Sequence, residues 1–265
     1  MKIKMNALTK INFTLKKYIM LKLKCSITIV IIFLCLTTFS QTTTVRHFDK
    51  VIVSPHIQVT FVEGNEESVV IEKSSVSKEK INIEVNGKTL RIYLDGAKEV
   101  TKNEKVYDNG YKERRSIYQG TVITATVTYK TLNELSVRGE ETQVCQSLLK
   151  GDKFRLRIYG ESHVFLNEVN LGQLQATIYG ESFLEIKAGS IADQKYTVYG
   201  ESKINSLAID GNTTKITAYG EADFRVNVSE EIKITAFGEA TLAYRGNPKI
   251  NKWFHIGEMQ ISKID

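Results

Sequence analysis

The sequence predicts an all-β fold, a right-handed parallel β-helix (solenoid) whose coils take about twenty residues each. Three observations predict it. The dipeptide Gly-Glu recurs at Gly139-Glu140, Gly160-Glu161, Gly180-Glu181, Gly200-Glu201, Gly220-Glu221, Gly238-Glu239 and Gly257-Glu258, with spacings of 21, 20, 20, 20, 18 and 19 residues. Before each dipeptide apolar residues alternate with polar ones, as in Leu156/Ile158, Ala176/Ile178, Tyr196/Val198, Ile216/Ala218 and Ile234/Ala236. Four residues past the glycine the chain is apolar again, at Val164, Leu184, Ile204, Phe224, Leu242 and Ile261.

Alternation with period two marks a strand with one buried face and rejects helical solenoids of similar repeat, whose pattern runs at 3.6. Each repeat therefore supplies a strand, a Gly-centred bend and a second strand. Such a unit cannot bury its apolar face alone, so copies must stack. At a strand spacing of about 4.8 Å, equivalent residues of successive coils sit directly above one another. The seven glycines are the expected bend positions, because a bend of positive φ excludes most side chains.

Taken in order, residues 1–40 read as a secretory signal. They hold seven lysines and no acid, an apolar stretch from Ile27 to Leu36, and Thr37-Thr38-Phe39-Ser40 before the expected cleavage. The apolar run is shorter than the about twenty residues a membrane span needs. A start at Met20 would give a leader of ordinary length. The whole chain carries a net charge of +6. Without those seven lysines, 29 basic residues face 30 acidic ones, so the charge belongs to the leader and no nucleic-acid footprint remains. Removal of the leader leaves Cys145 alone, without a partner for an internal disulfide.

Residues 41–265 are expected to form a single β-helix domain. Within it, residues 41–130 read as N-terminal strands and a loop, and residues 131–265 as about seven Gly-Glu coils. Val51–Val53, Ile57–Val62, Val69–Ile71, Ile81–Val85, Leu90–Leu94 and Val122–Tyr129 carry strand patterns, and Asn86-Gly87 is a hairpin signal. This section is expected to cap the first coil, whose open edge would otherwise invite pairing. Residues 97–120, with Lys112-Glu113-Arg114-Arg115 at the centre, read as a charged loop long enough to be either disordered or functional, disorder being the plainer expectation.

Stacking turns each repeated residue type into a row. Tyr159, Tyr179, Tyr199, Tyr219 and Phe237 precede their glycines and form a candidate binding platform for glycan or protein, although stacking alone would call for the same residues. Glu161, Glu181, Glu201 and Glu221 are candidate metal ligands. The plainer reading is a solvated acidic row, since calcium wants six or more oxygens. No cofactor is expected. His47, His56, His163 and His255 are scattered without ligand spacing, and no nucleophile signature is present, so the expectation is a non-enzymatic protein. A polysaccharide-active enzyme is the weakest alternative, and a structural or cation-responsive envelope protein the stronger one.

The N-terminal motifs complete a resemblance. Phe48-Asp49-Lys50-Val51-Ile52-Val53, Val59 to Gly64, Gly87-Lys88-Thr89-Leu90-Arg91-Ile92, the recurrent Gly-x-Ser/Ala and Tyr244-Arg245-Gly246-Asn247-Pro248 stand in that order. Over residues 45–263 the chain resembles the putative auto-transporter adhesin, head GIN domain family (DUF2807), found in secreted proteins of Bacteroidetes. The resemblance implies a right-handed β-helix in the periplasm, at the outer surface or outside the cell. The chain departs from the family pattern by placing glutamate between the repeated glycine and serine, and tyrosine before the glycine.

Overall fold

The computed structural model describes residues 41–108 and 111–265, and the signal peptide read in residues 1–40 lies outside them. Ser40–Asp265 form one compact unit. In chain order its strands are β1 (Gln41–Thr44), β2 (Lys50–Val53), β3 (Ile57–Glu63), β4 (Ser68–Ser74), β5 (Ile81–Asn86), β6 (Thr89–Leu94), β7 (Asn103–Asp108), β8 (Tyr111–Ser116), β9 (Ile123–Tyr129) and β10 (Glu134–Gly139). They continue as β11 (Thr142–Cys145), β12 (Leu149–Gly160), β13 (His163–Leu166), β14 (Val169–Tyr179), β15 (Ser182–Ile186), β16 (Gly189–Ser206), β17 (Asp210–Asn227), β18 (Glu231–Arg245), β19 (Lys249–Ile256) and β20 (Met259–Lys263).

All but β7 and β8 join one sheet, mostly parallel, wound into a solenoid of about six turns. Its register is that of the repeat. Tyr199 pairs with Tyr219 and Tyr219 with Phe237, Gly200 with Gly220 and Gly220 with Gly238, Glu201 with Glu221 and Glu221 with Glu239. The shorter spacing before Gly238 is absorbed at the corner ahead of Glu231, because Thr213 already pairs with Glu231 at the same offset. The alternating residues point inward and are fully buried, among them Leu156, Ile158, Val198, Ile216 and Ile234. Cys145 is buried in the same core, which pushes its thiol up to about 12.

A glycine at each bend follows from the packing. At Gly220 φ is +114°, and a Cβ there would lie 2.7 Å from the carbonyl oxygen of Gly200 in the coil below. All seven glycines of the row share the conformation, with φ between 105° and 128°. The residue two past the glycine points inward and satisfies that same backbone. The hydroxyls of Ser162, Ser182 and Ser202 donate to the carbonyls of Gly139, Gly160 and Gly180 at 2.9, 2.9 and 3.0 Å.

The N-terminal section does more than cap. β2 and β3 form a rung of the solenoid that lies between β6 and β9 on one side and β10 and β11 on the other, all in parallel register. Within this sheet the antiparallel pairs among the described residues are β5 on β6, β4 on β9 and β1 on β4, and these strands cover the end. The chain thus lays down its second rung before its first. Residues 97–120 also differ from expectation, because β7 and β8 pair as an antiparallel hairpin from Asn103↔Ser116 to Asp108↔Tyr111. The described residues of β8 are exposed, so this hairpin lacks the one-sided apolar alternation by which a strand announces itself.

Candidate functional site

The strand before each glycine presents three outward rows. Furthest from the bend lies Arg155, Gln175, Lys195, Lys215 and Lys233; next comes Arg157, Thr177, Thr197, Thr217 and Thr235; nearest is Tyr159, Tyr179, Tyr199, Tyr219 and Phe237. Period-two alternation places the three on one face of the sheet. The result is a flat Lys-Thr-Tyr array repeating at the coil spacing.

Its aromatic row is a stacked column. Ring centroids are 5.1, 4.8, 4.9 and 4.9 Å apart from Tyr159 to Phe237, and adjacent planes are within 4° of parallel. Each inner ring therefore has both faces covered by its neighbours. At one end the Arg138 guanidinium lies over Tyr159, 4.8 Å from the ring centre; at the other Phe254 leans on Phe237 at 49°. What solvent reaches is ring edges and phenolic hydroxyls, and Tyr179, Tyr199 and Tyr219 remain 40, 39 and 39% exposed. A sugar that stacks on an open ring face finds none within the column.

Across the bend, Glu161, Glu181, Glu201, Glu221 and Glu239 are all exposed. Glu181, Glu201, Glu221 and Glu239 line one open groove of about 490 Å³, together with Asp223 and Lys203. Among the described residues no group of three His, Cys, Asp or Glu side chains is arranged to hold a metal ion. The acidic row is a solvated edge of the bend, with Lys203 standing in the same groove.

At the N-terminal end of the column, the rung formed by β2 and β3 turns at Pro55-His56 where later rungs turn at Gly-Glu. His56 is the one described non-glycine residue with positive φ, at 70°. Its Nδ1 donates to the Gly120 carbonyl at 2.8 Å, and its Nε2 pairs with Thr101 Oγ1 at 2.7 Å. Glu141 takes the place of the inward serine, and its carboxylate accepts from the backbone N–H of Glu140 at 3.1 Å. Burial raises the Glu141 carboxyl above its usual range, partly offset by the backbone N–H groups that it accepts from and by nearby His56. Glu99 bridges Arg91 and Arg138 in an ion-pair network beside it. These residues hold the 95–122 excursion against the solenoid. Sequence reading missed the bend at Pro55-His56 because that rung lacks a Gly-Glu, and it missed the roles of Arg138 and Glu141, which flank Gly139-Glu140, because their partners Glu99 and His56 are far away in the chain. His47, His163 and His255 lie apart from this cluster: His47 pairs with Glu67 at 2.8 Å, His163 stands edge-on to Phe183, and His255 sits on β19.

No helix among the described residues is long and apolar enough to cross a membrane. No curated protein matches the chain in sequence. Its fold is similar to solved structures, including a putative adhesin from Bacteroides fragilis at 19% identity and TM-score 0.69, covering 85% of this chain and 96% of that one. A putative adhesin from Parabacteroides merdae matches at 16% identity and TM-score 0.61, covering 85 and 95%. A putative lipid binding protein from Parabacteroides distasonis matches at 17% and 0.62, covering 85 and 96%. The family model for the putative auto-transporter adhesin, head GIN domain, matches residues 47–248. With six of its seven glycine bends, its aromatic row and its N-terminal motifs inside that span, the chain belongs to the head GIN domain family of putative auto-transporter adhesins.

Proposed function

We propose that this chain is an exported, non-enzymatic module of the cell envelope or surface, which offers its Lys-Thr-Tyr face to a protein or glycan partner. The observation that carries the reading is the closed aromatic column, which spends its ring faces on its own neighbours and turns hydroxyl-bearing edges outward beside rows of Thr and Lys. Such a face binds by hydrogen bonds over a flat, rigid area and not by stacking in a pocket. Tyrosine also supplies contact area at low entropic cost, because only two side-chain torsions need to be fixed. The adhesin description of the family supports the same reading.

The test is a glycan array together with capture of envelope proteins, run on the wild type and on a triple variant, Tyr179→Phe, Tyr199→Phe and Tyr219→Phe. The variant keeps the column and loses only the hydroxyl edges. Binding that disappears in the variant supports the face. Binding that survives unchanged refutes it.

A further inference from the structure

The β7–β8 hairpin stands outside the solenoid sheet, and its charges are sorted by face. Its antiparallel register puts the positions Asn103↔Ser116, Lys105↔Arg114 and Tyr107↔Lys112 on one face, and Glu104↔Arg115, Val106↔Glu113 and Asp108↔Tyr111 on the other. The Ser116 hydroxyl donates to Asn103 Oδ1 at 3.1 Å across the first of these pairs, as residues that share a face can. The first face therefore holds three cations, Lys105, Lys112 and Arg114, and no acid. On the second face Glu113 pairs with Arg115 at 3.9 Å and Glu104 stands opposite the same arginine, so charge is compensated there. From Lys102 to Ile117 five basic residues stand against the three acids Glu104, Asp108 and Glu113, a net of +2. The acids just before the hairpin are engaged elsewhere: Asp95 accepts from Asn82 at 2.6 Å, and Glu99 bridges Arg91 and Arg138.

Like charges directly opposite on an antiparallel pair are destabilising, and a two-stranded ribbon is marginal by itself. Lys105 and Arg114 nevertheless oppose each other on a ribbon whose β8 residues are all exposed, so packing on the solenoid does not call for the arrangement. The ribbon is held from its base. The Lys102 N–H donates to the Gly96 carbonyl at 2.8 Å, the Ile117 N–H donates to the Lys102 carbonyl at 3.1 Å, and His56 grips Thr101 and Gly120. A cationic face rooted in this way is compensated by an anion from outside, and the face itself selects the class. It carries no aliphatic residue to place in an acyl boundary, and three charges alone hold a lipid surface only marginally. Cores of protein interfaces are depleted in lysine. An open ribbon gives a single small anion little hold, whereas a hydrated chain of anionic groups meets all three cations at once. The Arg114 guanidinium adds a planar fork suited to carboxylate or sulfate oxygens.

We infer that the β7–β8 ribbon is a second binding surface, for an acidic polysaccharide, with Lys105, Lys112 and Arg114 meeting its carboxylate or sulfate groups. It uses none of the residues of the Lys-Thr-Tyr face, so the two surfaces stand or fall independently.

Residues 1–40 carry seven lysines that also attract polyanions, so the readout has to be residue by residue. The experiment acetylates the full chain with and without dextran sulfate, polygalacturonate or neutral dextran, and follows each lysine by mass spectrometry. Lys105 and Lys112 should be protected by the two acidic polymers and not by dextran, while Lys195 and Lys215 on the Lys-Thr-Tyr face stay reactive. In a Lys105→Gln, Arg114→Gln variant the polymer concentration that half-protects Lys112 should rise about tenfold or more. Arg115→Gln, on the other face of the ribbon, should leave it nearly unchanged, as should Tyr179→Phe with Tyr199→Phe and Tyr219→Phe. Absence of protection in the wild type overturns the proposal, as does undiminished protection of Lys112 in the double variant or an equal loss with Arg115→Gln. Tighter protection by phosphatidylglycerol vesicles or by duplex DNA at equal charge concentration overturns the polysaccharide assignment. Protection that grows with protein concentration without any polymer gives the ribbon to a second copy and overturns it as well.

Discussion

Replacing Gly220 with alanine tests the solenoid at a bend where one coil lies directly on the next. The backbone there has φ +114°, which L side chains rarely adopt, and the new Cβ would lie 2.7 Å from the Gly200 carbonyl oxygen and 3.2 Å from both its carbonyl carbon and its Cα. All three are backbone atoms of a hydrogen-bonded coil, so no side chain can swing away to make room. Strain of about 1–3 kcal/mol and overpacking of similar size put the cost near ~4 kcal/mol. For a unit of this size that is a fall in Tm of roughly 8–16 °C. Gly87→Ala is the control: φ is +57°, and nothing lies within 4 Å of its added Cβ. Only the left-handed backbone is charged to it, about 1 kcal/mol and roughly 2–4 °C. Thermal melts followed by circular dichroism, with urea midpoints as a second measure, compare the two. If Gly220→Ala costs no more than Gly87→Ala, the coils are not stacked glycine on glycine and the reasoning fails.

Two further outcomes are expected. Tyr199→Ser removes two stacked contacts, at 4.8 and 4.9 Å, and should cost about 1–3 kcal/mol in urea unfolding, whereas Tyr199→Phe, which keeps both, should stay within about 0.5 kcal/mol. A serine variant as stable as the phenylalanine one would mean that the column adds nothing to stability. Burial raises the Glu141 carboxyl above the ordinary carboxylate value of 4.5, so the folded chain holds that proton more tightly than the unfolded chain does. Its contribution is therefore favourable at acid pH and is lost as pH climbs from about 4.5 through the raised value, then stays level. Glu141→Gln cannot ionise, so the stability of the variant relative to wild type should rise over that interval; a flat difference across pH 4–8 contradicts it.

The core of the solenoid was legible because a residue's spatial neighbour is its own copy one repeat away. Tyr199 meets Tyr179 and Tyr219, and Gly220 meets Gly200, so the spacing of the dipeptides already states the register. Where the repeat ends, legibility ends with it. His56 finds Gly120 and Thr101, and Gln143 accepts from the Val59 backbone 84 residues away; no local pattern records such partners. The β7–β8 hairpin escaped notice for a related reason, since β8, exposed along its whole length, carries no hydrophobic period.

For the candidate site, the rows were readable and their accessibility was not. Sequence alone determined that tyrosines, threonines, lysines and glutamates would each form a file, because side-chain period and coil length are both local quantities. Tertiary structure decided that the tyrosine rings face one another and leave only their edges to a partner, because ring orientation depends on packing between coils. It also decided that β2 and β3 enter between strands laid down later, and that a bulge at Trp253 turns Phe254 outward on the last rung. Pairing order and the phase of a bulged strand are set by long-range contacts, and a one-residue shift exchanges the two faces of a strand without altering any local propensity.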